Sequence, residues 1–318
     1  MQKEQLISVV VPCYNEQDVL PMFYEEITKV TDKMKSEHDN LNFEYVFVND
    51  GSKDITLDIL RDYSEKDSRV RYVSFSRNFG KEAAMIAGLE NAKGDYVVLL
   101  DADLQHPPEF IPQMYEYVSS GAYDCAATRR ISRKGQPKLL SFFARSFYKV
   151  INKISQTQIV DGAQDFRFMT RQMVDAIINI PEYSRFSKGI FSWVGFNTKY
   201  IEYENVERAA GTTKWSFWNL FKYSLEGIFA FSTAPLAVSS FTGVLSCMVG
   251  FILLIWIIVK LIAKIYIAVY TPILCALFLL GGLQLFSIGI LGQYLSRTYL
   301  EVKSRPKYIV KETEKTER

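Results

Sequence analysis

Short apolar runs alternate with longer amphipathic stretches through the N-terminal part of the chain. The apolar and β-branched runs at residues 6–11, 43–48, 70–75 and 96–100 predict buried parallel strands. After the first run, apolar residues recur at a helical spacing over about residues 18–35, which predicts a helix. Strands that alternate with helices of this length predict an α/β fold with a doubly wound, mainly parallel sheet and right-handed crossovers.

Each predicted strand is followed by a polar loop. The loops lie at residues 13–16, 49–52, 77–81 and 101–103. Because the carboxyl ends of parallel strands meet at one edge of a sheet, these loops are expected to converge where open α/β sheets bind ligands. Gly51 supplies the conformational freedom that the turn of the second loop needs. The convergence of the loops carries more information than any single loop does.

Two carboxylates one residue apart, Asp101 and Asp103, end the fourth apolar run. Hard cations such as Mg²⁺ are usually held by one or two carboxylates together with substrate phosphates, so this pair suggests a nucleoside-diphosphate substrate. The pair by itself fits equally a strand-ending turn with solvated acids. Neither a GxxxxGK[ST] loop nor a GxGxxG turn is present, so phosphate would be held by metal, Arg or Lys. Arg77 and Lys81, in the third loop, either serve this purpose or are solvated.

Two long stretches near the C-terminal end carry no charged side chain. They cover residues 227–259 and 265–296, and Lys260 and Lys264 lie between them. Since a bilayer core requires about 20 apolar residues per helix, each stretch is long enough to span it once. A pair of buried core helices is the alternative, but such helices would need an amphipathic pattern that these residues lack. The sequence therefore predicts a two-helix transmembrane hairpin, with helices at about 234–259 and 268–295.

Basic residues lie at the outer ends of the predicted hairpin and are fewer in its turn. Arg208, Lys214 and Lys222 precede the first span, and several Lys and Arg residues follow the second. Because cytoplasmic loops carry an excess of Lys and Arg, both termini and the large N-terminal region are expected to be cytoplasmic. The net charge of +2 over 318 residues identifies no charged partner, and no nucleic-acid partner is expected. Four scattered cysteines form neither a disulfide framework nor a zinc pattern.

Four motifs occur in the order found in one enzyme family. They are VVPCYNE at 10–16, VNDGS at 48–52, DADLQ at 101–105 and QDFR at 164–167. In these four motifs and their order, the chain resembles the enzymes of glycosyltransferase family 2. The segment RAAGTTKW at 208–215 resembles the Arg-x-x-Gly-x-Ser-Lys-Tyr motif of polyprenyl-phosphate glycosyltransferases, and the tail resembles that of bactoprenol glucosyltransferases. Thr213 and Trp215 replace the Ser and Tyr of that motif, and Gln164 stands where Gly is common.

The resemblance implies a glycosyltransferase A-type sheet, followed by juxtamembrane amphipathic helices and the transmembrane hairpin. The implied organisation is a cytoplasmic nucleotide-sugar transferase domain at 1–210, an interfacial amphipathic helix at 211–232, two membrane helices within 233–296 and a cytoplasmic basic tail at 297–318. The aromatic segment 215–229 and the basic amphipathic stretch 137–154 fit docking at a membrane interface. The implied location is the bacterial inner membrane, in which the protein would be multi-pass.

The resemblance also implies roles for individual residues. Those that would bind the nucleotide sugar are Pro12, Tyr14, Asn15, Glu16, Asp50, Lys81, Asp101, Ala102, Asp103 and Gln105. Asp103 is expected to be a direct metal ligand, with Asp101 near the metal and the ribose, and the cofactor is Mg²⁺ or Mn²⁺. His106 is interpreted as a polar residue at a helix entrance rather than as a metal ligand.

Asp165 occupies the position of the carboxylate nearest the acceptor in the resembling family. A general base usually takes a proton from an attacking hydroxyl, but a phosphomonoester, with a second pKa of about 6, is largely ionised near neutral pH. Asp165 is therefore expected to act as a base or to orient the acceptor, and a helix N-cap is a further interpretation. Arg208, Thr213 and Lys214 are the predicted ligands of a lipid phosphate. Contact of these residues with anionic lipid headgroups is the alternative.

The expected activity is inverting transfer of a hexose to polyprenyl phosphate at the cytoplasmic membrane face, giving a lipid-linked sugar for cell-envelope glycosylation. UDP-glucose is the expected donor and undecaprenyl phosphate the expected acceptor. The alternative donors are UDP-N-acetylglucosamine, GDP-mannose and an aminoarabinose nucleotide. A processive polysaccharide synthase is one rival, although such enzymes usually carry a Gln-x-x-Arg-Trp element and more spans. A transporter or lipid flippase with a nucleotide-binding domain is another, but the predicted spans lack the charges of a polar pathway. The sequence is compatible with assembly into a homo-oligomer.

Overall fold

The computed structural model describes residues 4–131, 152, 158, 160–183, 185–203, 234–263 and 270–315. Three predictions therefore lie outside the described residues. They concern the interfacial helix at 211–232, the phosphate ligands Arg208, Thr213 and Lys214, and the amphipathic stretch 137–154 apart from Asn152.

Strands and helices alternate from the N-terminus, as the apolar pattern predicts. The strands are β1 (Gln5–Cys13), β2 (Leu41–Asn49), β3 (Val70–Phe75), β4 (Tyr96–Leu99), β5 (Cys125–Arg130), β6 (Ala163–Thr170), β7 (Thr198–Tyr203) and β8 (Val310–Thr313). The helices are α1 (Leu20–Glu37), α2 (Thr56–Lys66), α3 (Lys81–Asn91), α4 (Phe110–Ser119), α5 (Arg171–Ile178), α6 (Ser187–Trp193), α7 (Ala234–Ile262) and α8 (Tyr270–Val302). The first four strands coincide with the four predicted apolar runs.

The strands form a single sheet in the order β7-β5-β6-β4-β1-β2-β3-β8. β4, β1, β2 and β3 are parallel neighbours, and Val10 at the centre pairs with Val46 on one side and Leu99 on the other. β6 runs antiparallel between β4 and β5, and β8 runs antiparallel along β3. The mainly parallel α/β sheet is confirmed. The two antiparallel strands lie outside the strand–helix repeat, so the apolar pattern gives no sign of them.

Strand β6 brings its first residues to the edge where the parallel strands end. Leu99 of β4 pairs with Arg167, so in this antiparallel register Asp165 lies level with Asp101. An antiparallel strand begins where its parallel neighbours finish. Asp165 therefore joins the strand-end loops although it lies near the start of its own strand.

Successive side chains of the central strand β1 point to two apolar layers on opposite faces of the sheet. Val9 packs in the layer that includes α1 and α4, whereas Val10 packs in the layer that includes α3. Gly88 lets α3 approach β1 closely, because a Cβ at this position would lie 2.2 Å from a methyl carbon of Val10. This close contact fixes the position of α3, which begins at Lys81.

Two long helices follow the sheet domain and contact each other. α7 has 29 residues and α8 has 33. Within the described part of the chain, one helix, α7, holds a stretch long and apolar enough to cross a membrane, Pro235–Ile252, with a mean hydropathy of 1.7. Large apolar side chains on both helices are exposed, among them Phe241 at 70% and Leu285 at 72%. Two long helices are present as predicted, and their crossing of a bilayer as a hairpin stays a prediction.

The chain beyond α8 returns to the sheet. The predicted boundary at residue 297 falls inside α8, which continues to Val302, and the tail then adds β8 at the sheet edge. Glu312 of β8 is buried and accepts hydrogen bonds from Arg61 of α2 and from the hydroxyl of Tyr72 in β3. Part of the predicted basic tail is therefore a strand of the central sheet, which its charge pattern does not indicate.

Candidate functional site

A cavity of about 450 Å³ opens at the edge of the sheet where β1, β2, β3 and β4 end. Its wall is formed by Pro12, Cys13, Tyr14, Glu16, Asp50, Asn78, Gly80, Lys81, Ala84, Asp101, Ala102 and Asp103. The four polar loops therefore converge as their position after parallel strands predicts. Of the ten residues expected to bind a nucleotide sugar, all but Asn15 and Gln105 lie in this wall.

Asn15 and Gln105 shape the loops through backbone hydrogen bonds. The Asn15 N–H donates to Ser52 Oγ at 2.9 Å, and the Asn15 side-chain oxygen accepts the Lys53 N–H at 2.9 Å. Asn15 has a φ of 55°, a left-handed conformation that Asn adopts more readily than most residues. Gln105 donates its backbone N–H to Asp103 Oδ1 at 3.1 Å. Both residues thus hold a loop of the cavity wall in its observed conformation.

Asp50 holds the third loop against the second. Its two carboxylate oxygens accept the N–H groups of Phe79 at 2.6 Å and Gly80 at 2.9 Å. Burial raises the pKa of Asp50, and these two hydrogen bonds oppose the rise. The neighbouring Gly51 has a φ of 62°, and a Cβ there would lie 2.3 Å from the carbonyl carbon of Arg77. Glycine is therefore required where the two loops meet.

Lys81 connects the fourth loop to strand β6. Its Nζ lies 2.8 Å from a carboxylate oxygen of Asp101 and 2.8 Å from Oδ2 of Asp165. Desolvation would lower the pKa of Lys81, but the two carboxylates outweigh it and raise that pKa. The Lys81 side chain is 46% exposed, whereas that of Asp165 is only 17% exposed. The cation is therefore accessible from the cavity while it holds two carboxylates together.

Asp165 is surrounded by positive charge. Burial would raise its pKa, but the charges of Lys81 and Lys188, with the Lys81 hydrogen bond and Arg167, hold that pKa well below its usual range. Lys188 lies on α6, which contacts the sheet through Phe191, whose ring packs 4.3 Å from the Arg167 guanidinium carbon. Asp165 is thus a stable carboxylate at neutral pH and a weak base.

Glu82 and Ser187 form a contact that no sequence pattern predicts. Glu82 follows Lys81 on α3 and accepts hydrogen bonds from the backbone N–H and the hydroxyl of Ser187 at the start of α6. Burial raises the pKa of Glu82 to about 7, although the Ser187 bonds oppose this. These bonds place α6, and with it Lys188, beside Lys81. No spacing or motif links residues this far apart, so only adjacency to Lys81 could have drawn attention to Glu82.

His106 is buried, and its Nδ1 is engaged by a tyrosine hydroxyl. Its Nδ1 lies 2.8 Å from the hydroxyl of Tyr203, and burial lowers the pKa of His106. Its ring also packs 6.0 Å from that of Phe166. The side chain therefore links the start of the α4 region to strands β6 and β7, which agrees with its interpretation as a structural residue.

Asp101 and Asp103 are the residues that fit a divalent cation. Both line the cavity, and Asp101 already binds one cation, the Lys81 ammonium. Among the described residues, no group of three or more His, Cys, Asp or Glu side chains is arranged to hold a metal. Two carboxylates suit Mg²⁺, which commonly completes its coordination with substrate phosphates and water.

Comparison with known proteins bears on this site. Residues 8–178, more than half of the chain, match the family described as glycosyl transferase family 2. The chain belongs to this family. It is 42% identical over 313 residues to the putative glycosyltransferase CsbB of Bacillus subtilis, covering 98% of this chain and 92% of that protein. The resemblance inferred from the four motifs is confirmed.

Two further relatives of this family 2 glycosyltransferase carry more specific names. It is 42% identical over 310 residues to the prophage bactoprenol glucosyl transferase homolog of Escherichia coli, covering 97% of this chain and 99% of that protein. It is also 42% identical over 308 residues to the bactoprenol glucosyl transferase of Shigella phage SfII, covering 96% and 98%. The similarity therefore extends through the long helices and the C-terminal strand.

The site of this glycosyltransferase combines three carboxylates with a shared cation. Asp101 and Asp103 line the cavity, Asp165 lies beside it, and Lys81 links the two sides. The Lys81 ammonium, and a cation held by Asp101 and Asp103, can stabilise negative charge that develops on a leaving group, which is usually the largest contribution to catalysis.

Proposed function

We propose that this enzyme transfers glucose from UDP-glucose to the phosphate of undecaprenyl phosphate at the cytoplasmic face of a bacterial inner membrane. The main observation behind this proposal is the position of Lys81. Its Nζ lies 2.8 Å from Asp101, which is expected to face the donor, and 2.8 Å from Asp165, which is expected to face the acceptor. The acceptor and the sugar are supported by the two relatives named as bactoprenol glucosyl transferases. The product is a lipid-linked sugar for cell-envelope glycosylation.

The donor is bound by the four strand-end loops. Tyr14, Glu16 and Asp50 line the cavity where the base and ribose are expected, and Asp50 also fixes the Gly80 backbone. Lys81 is within reach of the diphosphate, where its ammonium group offsets the charge that builds up as the sugar leaves. Asp103 and Asp101 would hold Mg²⁺ or Mn²⁺, which when bound would supply further positive charge near the departing diphosphate.

The acceptor phosphate attacks the anomeric carbon directly. One of its oxygens forms the new bond while the bond from the sugar to the UDP oxygen breaks, so the configuration is inverted. Because the phosphomonoester is largely ionised near neutral pH, with a second pKa of about 6, no base is needed. The low pKa of Asp165 suits an ionised residue that orients the acceptor and holds Lys81.

Positive residues must offset the repulsion between an anionic acceptor and these carboxylates. Lys188 on α6 is one such cation, since its charge acts on Asp165. Arg208, Thr213 and Lys214 remain the proposed ligands of the lipid phosphate, since guanidinium and ammonium groups suit phosphate.

The path of the chain supports an anchoring hairpin. α7 follows the sheet domain, and after α8 the chain adds β8 to the same sheet. A helix pair that leaves the sheet domain and returns to it fits two membrane crossings, and we propose that both termini lie on the cytoplasmic side. The exposed apolar side chains of α7 and α8 suit contact with lipid.

Transfer to a lipid carrier tests this function directly. The purified full-length protein is given labelled UDP-glucose, undecaprenyl phosphate and Mg²⁺ or Mn²⁺, and label is expected in an organic-extractable product. Asp103→Ala should reduce this transfer by about 1,000-fold or more, whereas Asp39→Ala, at an exposed carboxylate away from the cavity, should not.

Each alternative outcome contradicts a defined part of the proposal. Label in a long polysaccharide would indicate a processive synthase, and lipid translocation without transfer would indicate a flippase. Efficient transfer from a GDP-sugar or UDP-N-acetylglucosamine in place of UDP-glucose would overturn the donor assignment. Unchanged activity of Asp103→Ala would overturn the metal-binding role of the carboxylate pair.

A further inference from the structure

The end of α8 and the segment after it contact the start of the loop that borders the cavity and the segment that leads into α6. We call residues 301–313 the C-terminal strap. Its far end is held at the sheet edge by β8, where Glu312 accepts bonds from Arg61 at 2.8 Å and 2.6 Å and from Tyr72 at 2.7 Å. Glu312 is 8% exposed, so this anchor is largely shielded from water. The strap is therefore fixed to the sheet and not merely adjacent to it.

Tyr308 of the strap supports the loop that borders the donor side of the cavity. Its ring stacks on Phe75 with ring centres 4.7 Å apart and an angle of 18°. Phe75 in turn packs edge-on against Phe79, with ring centres 5.8 Å apart. The Ser76 N–H donates to the carbonyl oxygen of Ile309 at 3.0 Å, which ties the start of this loop to the strap.

The same loop is bound from the cavity side by Asp50, which accepts the N–H groups of Phe79 and Gly80. The loop is thus held between a carboxylate of the cavity wall and an aromatic stack from the C-terminal strap. Residues 76–78 are exposed, and Gly80 has a φ of 97°. Without the aromatic support the loop would have few contacts to keep this conformation.

The strap also contacts the segment that leads into α6. The carboxylate of Glu301 accepts the Tyr183 N–H at 2.9 Å, and Lys307 Nζ donates to the carbonyl oxygen of Ile180 at 3.1 Å. A second cavity of about 270 Å³ lies where the strap, this segment and the donor-side loop meet, and Lys307 lines it. The strap therefore links the end of α8 to the loop at residues 76–80 and to the segment before α6.

We propose that Tyr308 is a positioning residue for the donor: through Phe75 and Phe79 it holds the loop at residues 76–80 in the conformation that binds the nucleotide sugar. The end of the membrane-anchoring segment is in this way a structural part of the donor site. The inference rests on the proposed donor cavity, but it requires neither a particular sugar nor a particular lipid acceptor.

Two variants distinguish the contribution of the Tyr308 ring from that of its hydroxyl. Tyr308→Phe keeps the stacked ring and removes the hydroxyl that bonds to Glu90. Tyr308→Ala removes both. Tyr299→Ala is the matched control, because Tyr299 is 60% exposed on α8 and its ring contacts Lys303, at the start of the strap, rather than the Phe75–Phe79 pair.

Nucleotide binding is measured on the full-length protein by calorimetry with UDP and Mn²⁺, and donor KM and kcat are measured with UDP-glucose. Tyr308→Ala should weaken UDP binding and raise the donor KM by about 3- to 10-fold, the effect of losing one aromatic pair, with kcat changed less. Tyr308→Phe and Tyr299→Ala should stay within about twofold of the wild type. Equal UDP binding by wild type and Tyr308→Ala would overturn the inference while leaving the function intact.

Hydrogen exchange provides a test that needs no ligand. Backbone amides of residues 76–80 should exchange about 10-fold faster in Tyr308→Ala, because the loop opens more often. Exchange in β1 and β2 should match that of the wild type. Unchanged exchange at residues 76–80, or faster exchange throughout the domain, would contradict a specific positioning role. If the wild type binds no uridine nucleotide, the proposed donor fails, and the exchange result still decides the role of Tyr308.

Discussion

Lys81 and Asp165, which are 84 positions apart in the chain, form an ion pair of 2.8 Å beside the donor cavity. Lys81 is the first residue of helix α3, and Asp165 lies near the start of the antiparallel strand β6. Since Lys81 also binds Asp101, one ammonium group links the carboxylate expected to face the donor to the one expected to face the acceptor. A change at Lys81 should therefore affect both substrates.

Replacing Lys81 with Met should reduce kcat by about 100-fold or more, because charge on the leaving diphosphate loses a preorganised cation. The pKa of Asp165 should rise towards its ordinary value, since Lys81 is the leading charge that lowers it. Below the acidic limb set by the acceptor phosphate, whose second pKa is about 6, the variant should then show an additional loss of activity as pH falls through the ordinary range of this carboxyl. Lys93→Met, at an exposed lysine outside the cavity, is the control. The absence of this additional loss in Lys81→Met would show that protonation of Asp165 does not limit the reaction.

Replacing Glu82 with Gln should make folding stability less dependent on pH. The carboxyl has a pKa of about 7 in the fold and an ordinary value of 4.5. Between these values the folded state holds an extra proton, so the stability of the wild type falls as pH rises through this window. Gln keeps an oxygen for the Ser187 bonds and does not titrate. The drop in Tm between about pH 5 and about pH 8 should be smaller in Glu82→Gln than in the wild type or in Glu116→Gln, and equal drops would refute the assignment.

Replacing Gly51 with Ala should disturb the contact between the second and third loops. The new Cβ would lie 2.3 Å from the Arg77 backbone, and a side chain at a φ of 62° is strained as well. Gly121 has a φ of 74° but open space around it, so Gly121→Ala isolates the cost of the left-handed backbone, about 1 kcal/mol. Gly51→Ala should lower Tm more than Gly121→Ala and raise the donor KM. Equal effects of the two substitutions would mean that the second and third loops can move apart without loss of stability or of donor binding.

Replacing Arg167 with Met should leave the stability unchanged or increase it. The guanidinium is 1% exposed, and within the described part of the chain its Nε and Nη1 have no hydrogen-bond partner. Burying a charge that lacks full hydrogen bonding is costly, and Met occupies a similar volume without that cost. Arg167→Ala should instead destabilise by about 2–4 kcal/mol, because it leaves a cavity. A large fall in Tm for Arg167→Met would indicate that the charge itself stabilises the fold.

The strand-end loops could be predicted because their signal is local. Apolar residues dominate the runs before Asp50 and Asp101, and parallel strands necessarily end at the same edge. The family could be recognised for the same reason, since its motifs are short and lie in those loops. The contact between Glu82 and Ser187 has no local signal, because it depends on how α6 packs against α3.

The sequence by itself determined the α/β repeat, the edge at which the polar loops gather, the long apolar helices and the family. All of these follow from the order of residues along short segments. Only the tertiary structure decided that Lys81 bridges Asp101 and Asp165, and that Tyr308 supports the loop before α3. Those contacts arise where an antiparallel strand and a returning C-terminal segment meet the parallel sheet. Pairing between distant segments is selected by the packing of the whole chain, and no short stretch of residues encodes it.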